Sequence, residues 1–350
     1  MNGLSDILEE ARRNCPDSFK EKGGVRITVA GVGGAGCNAL SNLKNIQNAR
    51  TIAVNTDKAH LGMVDAQEKI LLGQELTKGI GAGGYPEIGA KCAEADKEKL
   101  VETLEGTELL FITAGLGGGT GTGAAPVIAE VGKMVGAVVV TVVNYPFALE
   151  RVRMMKADWG LDALLRSSDT VIVLDNNRLT DLVPNLPLRQ AFAVADCIVA
   201  RAVKGISDAI TLPSLVNLSF ADVRTIMTGG GLAMIAVGEG SGAFKVDDSV
   251  KTTLKNPLLE VNYKGAKGAL VHVAGGPAMT LKEVTDVGEK ITKEFDARAN
   301  VVWGARVEDR LADKMIVTAI ATGVSSPKIK ARETLEDVEK EKIALEIATS

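Results

Sequence analysis

The segment Gly117-Gly118-Gly119-Thr120-Gly121-Thr122-Gly123 lies between an apolar run, Leu109-Leu110-Phe111-Ile112, and Ala124-Ala125-Pro126-Val127-Ile128. That order reads as a strand, a glycine loop and the start of a helix. In such a turn, backbone N–H groups converge on an anion and the helix N-terminus adds positive dipole. A Cβ would hold the backbone away from phosphate, and Thr120 and Thr122 offer hydroxyls. No lysine follows, so the segment is not the G-x-x-x-x-G-K-[ST] loop. A glycine-rich turn can also serve packing alone, so the rest of the chain has to decide.

Around it, apolar runs alternate with helical patterns. Strands are expected at 25–30, 51–54, 109–113, 137–143 and 170–174, and helices at 37–43, 87–104, 124–135 and 149–165. Such alternation predicts a parallel, doubly wound α/β sheet, whose ligands bind at the carboxyl ends of the strands. Residues 188–210 repeat apolar positions at helical spacing between Pro187 and Pro213, and predict one long helix. Strands at 231–238, 269–274, 300–307 and 315–321, with helices near 248–255 and 281–295, predict a second, smaller mixed α/β domain. The expected partition is an N-terminal polar helix over 1–24, a nucleotide domain over 25–186, a connecting helix over 187–212, a C-terminal domain over 213–325 and a charged tail over 326–350.

Composition narrows the function. The chain has 350 residues, 46% hydrophobic and 24% charged, with a net charge of −4 and only 3% aromatics. An acidic balance argues against a general nucleic-acid binder, and scarce aromatics argue against a single-strand stacking platform. No apolar run approaches a membrane span and the N-terminus is not a secretory signal, so direct membrane insertion is not expected. Cys15, Cys37, Cys92 and Cys197 are widely spaced and read as reduced thiols of a cytoplasmic protein. His60 and His272 stand alone, and no metal-ligating set of side chains is predicted.

A second loop, Gly31-Val32-Gly33-Gly34-Ala35-Gly36, follows the first strand, with Asp57 about 20 residues on. Alone, this fits a dinucleotide-dependent oxidoreductase. A third loop, Gly79-Ile80-Gly81-Ala82-Gly83-Gly84, adds more backbone donors. Three glycine loops on one edge suit a triphosphate better than a single pyrophosphate. Phe192 and Asp196 are i and i+4, so they share a helix face. Phe192 can stack on a purine and Asp196 can accept from guanine N1–H and N2–H₂; the plainer reading is a core Phe and a surface acid. Glu150 and Arg153 are i and i+3, which alone is a surface ion pair.

Taken together, these residues resemble the tubulin/FtsZ superfamily in its FtsZ form. The likeness rests on Gly117 to Gly123, Gly31 to Ala39, Asn55-Thr56-Asp57, Pro146-Phe147 with Glu150, Asn176-Asn177-Arg178-Leu179 and the segment from Asn217 to Arg224. It runs in order over about residues 25–322. Tyr145-Pro146-Phe147 and the Glu150-to-Arg153 spacing resemble archaeal members. The resemblance implies a GTPase that polymerises into the cell-division ring, with GTP or GDP and Mg²⁺ bound. Implied nucleotide contacts come from Gly33, Gly34, Ala35, Gly36, Cys37 and Asn38, from Asn55 and Asp57, and from Ala82, Gly83 and Gly84. Others come from Gly117, Gly118, Gly119, Thr120, Gly121 and Thr122, and from Glu150, Arg153, Asn176, Phe192 and Asp196.

In the family, an Asn-x-Asp-x-x-Asp loop of one subunit completes its neighbour's site, giving a head-to-tail homopolymer. Here the positions are Asn217, Ser219 and Asp222, with serine where the first carboxylate is expected. A serine hydroxyl is no base near neutral pH without an activator. Asp222 acting alone, a slow hydrolase, and an altered residue that traps filaments all remain open. A regulatory filament protein with negligible hydrolysis is the alternative function. Residues 340–347 are the candidate docking peptide for a membrane tether, against a solvated helical end. The implied location is cytoplasmic, at the division site.

Overall fold

The computed structural model describes residues 24–41, 49–211, 214–216, 218–255 and 263–326. The expected N-terminal helix, the charged tail and Asn217 lie outside the described residues, as does Cys15. The strands are β1 (Ile27–Val32), β2 (Ala49–Asn55), β3 (Glu68–Leu71), β4 (Leu109–Gly115), β5 (Val138–Tyr145) and β6 (Thr170–Asp175), then β7 (Gly231–Ser241), β8 (Gly268–Gly275), β9 (Asn300–Val307) and β10 (Lys314–Thr322). They form one ten-stranded sheet in the order β3-β2-β1-β4-β5-β6-β7-β10-β8-β9. The first six are parallel throughout. Their order reverses direction between β1 and β4, the place where an open α/β sheet leaves a crevice for ligand.

The helices are α1 (Gly33–Leu40), α2 (Lys58–Met63), α3 (Gln74–Thr77), α4 (Pro86–Ala95), α5 (Lys97–Leu104), α6 (Thr120–Met134), α7 (Arg151–Ser167), α8 (Asn176–Leu182), α9 (Leu188–Thr211), α10 (Phe220–Met227), α11 (Lys245–Lys255) and α12 (Leu281–Thr292). On one face α4 to α7 bury Cys92, Leu100, Ile128 and Leu164 against Ile112, Val139 and Val143. On the other, α1, α9 and α10 bury Leu40, Val199, Val203 and Met227 against Phe111 and Val140. Helices on both faces explain why β1 and β6 are buried at every position. Each such apolar side chain withdrawn from water contributes about 1.5–3 kcal/mol. A third cluster packs α11 and α12 on β8 and β10 through Val250, Val287, Val271 and Val317.

The smaller mixed α/β half is present, and its strands continue the first sheet through a short parallel join, Thr170↔Gly231, Val171↔Leu232 and Ile172↔Ala233. Beyond it the sheet turns antiparallel at β7–β10 and β10–β8. The helix expected over 87–104 is two, broken at Asp96, whose carboxylate accepts from the Gly73 N–H at 2.6 Å. A short acidic side chain that finds a backbone donor elsewhere gives up the helix. The helix expected from residue 37 starts at Gly33, so the glycine loop is itself the first turn; α6 likewise starts inside its loop, at Thr120. Neither β3 nor α8 and α10 was expected. β3 is a four-residue edge strand opening on Glu68 and Lys69, too short and polar for the pattern.

Candidate nucleotide site

The loops after β1 and β4 meet at the β1–β4 crevice. Gly33, at φ +73°, lies so close to the second loop that a Cβ would sit 2.8 Å from the Gly121 N. The third loop closes against the same place, since a Cβ on Gly119 would be 2.8 Å from Ala82 Cβ and 2.9 Å from Tyr85 N. By contrast, Cβ atoms on Gly34 and Gly118 would meet nothing within 4 Å. Some glycines therefore weld the loops together, while Gly34 and Gly118 border open space.

Capping gives the cradle its electrostatics. α2 is capped by Asp57, α8 by Asp175, α10 by Ser219 and α12 by Thr280. α1 and α6 have no side-chain cap, with Val32 and Gly119 at their N-cap positions; α3, α4, α5 and α7 lack one too, but α1 and α6 open on the β1–β4 crevice. Two neighbouring N-termini thus keep first-turn N–H groups available and add their dipoles, an arrangement suited to phosphate.

The threonine hydroxyls bond within the protein. Thr122 is fully buried, and its hydroxyl accepts from the Gly117 N–H at 2.9 Å. Thr120 shares a 2.7 Å hydroxyl contact with Thr56. Both hydroxyls tie the loop onto itself and onto the end of β2. Cys37 also turns inward: its thiol donates to Gly31 O, and burial pushes its pKa up to about 12. Asn55 is buried, with its carbonyl oxygen accepting from the N–H groups of Thr56 and Asp57. Asp57 accepts from the His60 N–H at 3.0 Å as the α2 cap. These two side chains shape the turn that carries the third loop.

Gly36 is buried, whereas Ala35 and Asn38 are exposed on α1, against which α9 packs. Phe192 on α9 is 41% exposed, and its ring meets Phe147 edge-on with centroids 6.0 Å apart. This is no core Phe, so the plainer reading of it is overturned. Asp196, one turn on, is half-buried, and burial lifts its pKa to about 6. A carboxylate kept partly from water beside an available aromatic face is suited to a polar planar ligand. Among the other expected residues, Gly83 is exposed, Gly84 is half-buried, and Asn176 begins α8.

Glu150 and Arg153 do form an ion pair, 2.7 Å, and Glu150 also accepts from the Phe147 N–H. Arg153 backs onto the glycine loop, its Cβ 2.8 Å from where a Gly117 Cβ would lie. Asn177 was quoted in the sequence but given no role. It donates to Pro146 O and Asp175 and accepts from the Ala148 N–H, so it locks the loop bearing Phe147 and Glu150 to the end of β6.

Ser219 and Asp222 form a reciprocal capping box at the start of α10. The Asp222 N–H donates to Ser219 Oγ at 3.1 Å, while the Ser219 N–H and Oγ donate to Asp222 Oδ2 at 3.1 and 2.5 Å. The signal was in the sequence, a Ser-x-x-Asp before an apolar run. Ser219 is thus engaged with Asp222, and one carboxylate oxygen of Asp222 is already in use.

Comparison with known proteins fits this geometry. A family model described as Tubulin/FtsZ family, GTPase domain, matches residues 26–184, and one described as FtsZ family, C-terminal domain, matches 231–325. The chain is 56% identical to cell division protein FtsZ 2 of Methanocaldococcus jannaschii, over 95% of this chain and 89% of the relative. It is 46% identical to cell division protein FtsZ 2 of Haloferax volcanii, over 98% and 89%. A solved FtsZ dimer from M. jannaschii superposes with a TM-score of 0.81 at 41% identity, covering 95% of this chain and 94% of that one. CetZ2 from Haloferax volcanii, solved as a GTPγS-bound protofilament, shares the fold at a TM-score of 0.76 and 24% identity, over 90% of this chain and all of that one. With family models on both halves and this identity over nearly the whole length, the chain belongs to the tubulin/FtsZ family, in its FtsZ branch.

Proposed function

We propose that the cradle between α1 and α6 holds the phosphates of GTP, and that hydrolysis occurs where the Ser219–Asp222 cap of one subunit meets the next subunit's cradle. As a member of its family, the chain is a cell-division GTPase that forms filaments. The observation that carries the reading is the pair of uncapped helix N-termini joined at Gly33 and Gly121 and backed by the third loop. Phe192 then stacks on guanine, Asp196 and Asn38 read its edge, and Glu150, Arg153 and Asn176 border the sugar and phosphates.

The two ends of the molecule differ, so contact between them is heterologous and propagates as an open, head-to-tail filament. Among the described residues, no three His, Cys, Asp or Glu side chains cluster to hold a metal. Magnesium fits such a cradle through phosphate oxygens and water, its usual mode, and neutralises charge on the leaving phosphates when bound. Asp222 orients the attacking water with one free oxygen, and Ser219, occupied in the cap, adds no base. Slow turnover follows. The location is cytoplasmic, at the division site, with a membrane-tethering protein binding the tail.

The test is light scattering with GTP, GDP and ATP, with phosphate release measured in parallel against protein concentration. GTP-specific scattering and phosphate release that rises only above a threshold concentration are expected. Equal responses to ATP, or release proportional to protein from the lowest concentration, would sink the reading.

A further inference from the structure

The third loop is hard to hold still. Gly79, Gly81, Gly83 and Gly84 all have positive φ, and a glycine-rich backbone is entropically costly to fix. Its first half is tied by backbone bonds, Gly81 N–H to Thr56 O at 3.2 Å and Ile80 N–H to Thr77 O at 3.1 Å, and by a bridge between Asp57 and Ile80. Its second half, Gly83 to Tyr85, is held differently. The Lys156 ammonium donates to Gly84 O at 2.6 Å and lies 5.3 Å from the centroid of the Tyr85 ring. Lys156 is on α7, one turn after Arg153, which backs onto Gly117. The first turns of α7 therefore touch two glycine loops at once, Arg153 setting one and Lys156 the other.

We propose that Lys156 is a positioning residue for GTP hydrolysis, which fixes the Ala82–Gly84 half of the third loop against the Gly117–Gly123 loop so that both present backbone N–H groups to the terminal phosphate together. The assignment rests on the reading that the third loop faces that phosphate. A charge-assisted hydrogen bond to a carbonyl and a cation over an aromatic face are both stronger than a neutral contact. Here they add to a backbone bond from the Tyr85 N–H to Ala82 O at 3.0 Å, and they tie that half of the loop to α7. GDP, lacking the terminal phosphate, does not use the loop, so Lys156 discriminates between the two nucleotides without touching either.

The experiment compares affinities for fluorescently labelled GTP and GDP, and phosphate release above the assembly threshold, in the full chain and three variants. Lys156→Met keeps the aliphatic stem and loses both ties. It is expected to lower the GTP-to-GDP affinity ratio about fivefold to tenfold, the range of one charged hydrogen bond in a part-exposed setting. GDP affinity and melting temperature stay near the parent's. Lys156→Arg, which can still donate to Gly84 O and cover Tyr85, restores most of the ratio. Gly83→Asp tests the loop itself by adding a negative charge at an exposed position. A shifted ratio in Gly83→Asp with none in Lys156→Met overturns the role of Lys156 and leaves the loop assignment standing. No shift in either overturns the loop assignment, and the proposal with it. Should Lys156→Met not fold, Tyr85→Leu removes the ring alone and is expected to lower the ratio about twofold to threefold; an unchanged ratio there counts against the proposal.

Discussion

Ser219 shows how one side chain can constrain two properties. Its hydroxyl caps α10 and occupies Asp222. Ser219→Asp keeps a good N-cap residue but cannot donate a hydroxyl proton to Asp222, so that carboxylate keeps only the backbone N–H of residue 219 and has more acceptor capacity left for water. Phosphate release above the assembly threshold should rise by about tenfold or more, within the range of a positioned water-orienting group, with GTP affinity unchanged. Asp222→Asn keeps the backbone acceptor and should remove most residual turnover. Brisk release by the parent, unmoved by Ser219→Asp, would place the work on another group. Asp196 carries a second prediction. With its pKa near 6, the carboxylate fraction at pH 5.5 is about one quarter, so GTP should bind roughly fourfold more weakly there than at pH 7.5. The sign follows from burial favouring the neutral acid, which cannot accept both guanine N–H groups. Asp196→Asn should bind weakly at both pH values and lose its preference for GTP over ATP, expected at roughly 10²-fold in the parent. Titration of labelled GTP and ATP at the two pH values decides it.

At the level of elements, the glycines of α1 and α6 fall into two kinds, which substitution should separate. Gly33→Ala presses on the backbone of the other loop at Gly121 and Gly121→Ala on the end of β4 at Gly115, and Gly33 also has positive φ, so both should lower the melting temperature along with nucleotide binding. Gly118→Val has room, so the fold should survive while a side chain enters the crevice and binding falls. Thermal melts set beside nucleotide titrations distinguish the classes; equal melting losses in all three would refute the division. The sequence made the glycine loops, the parallel strands and α9 legible, because each has a local signature. It did not reveal that Thr120 turns inward, since its hydroxyl's direction is decided by Thr56, 64 residues away. Lys156 was invisible for the same reason, its carbonyl partner lying 72 residues earlier. The Ser219–Asp222 box was readable as Ser-x-x-Asp before an apolar run. The break at Asp96 was not legible because the backbone donor that takes its carboxylate, Gly73, lies 23 residues earlier.

Across the whole molecule, α9 and the second half of the sheet meet at a buried polar group. His272 on β8 is buried, and burial with the nearby Arg306 of β9 holds its pKa down to about 4, against a smaller opposing pull from Asp208 of α9. Thr318 of β10 is its cross-strand neighbour. A base whose folded pKa lies below its unfolded value of about 6.5 gives full stability above that pH, and loses it as pH falls toward 4. Over that window its share of the slope is about 1.4 kcal/mol per pH unit. His272→Asn should flatten the fall in melting temperature between pH 6.5 and 4, and an unchanged slope would show that carboxylates alone set it. The join between β6 and β7 has a different consequence. It comprises three residue pairs, against nine for β7 with β10 and seven for β4 with β5. Seen as a mechanical part, each subunit is two stiff plates sharing a narrow seam, with α9 as the strut beside it. A filament built from such subunits is expected to take up part of any bend at that seam, inside each link, and so to spare its nucleotide contacts.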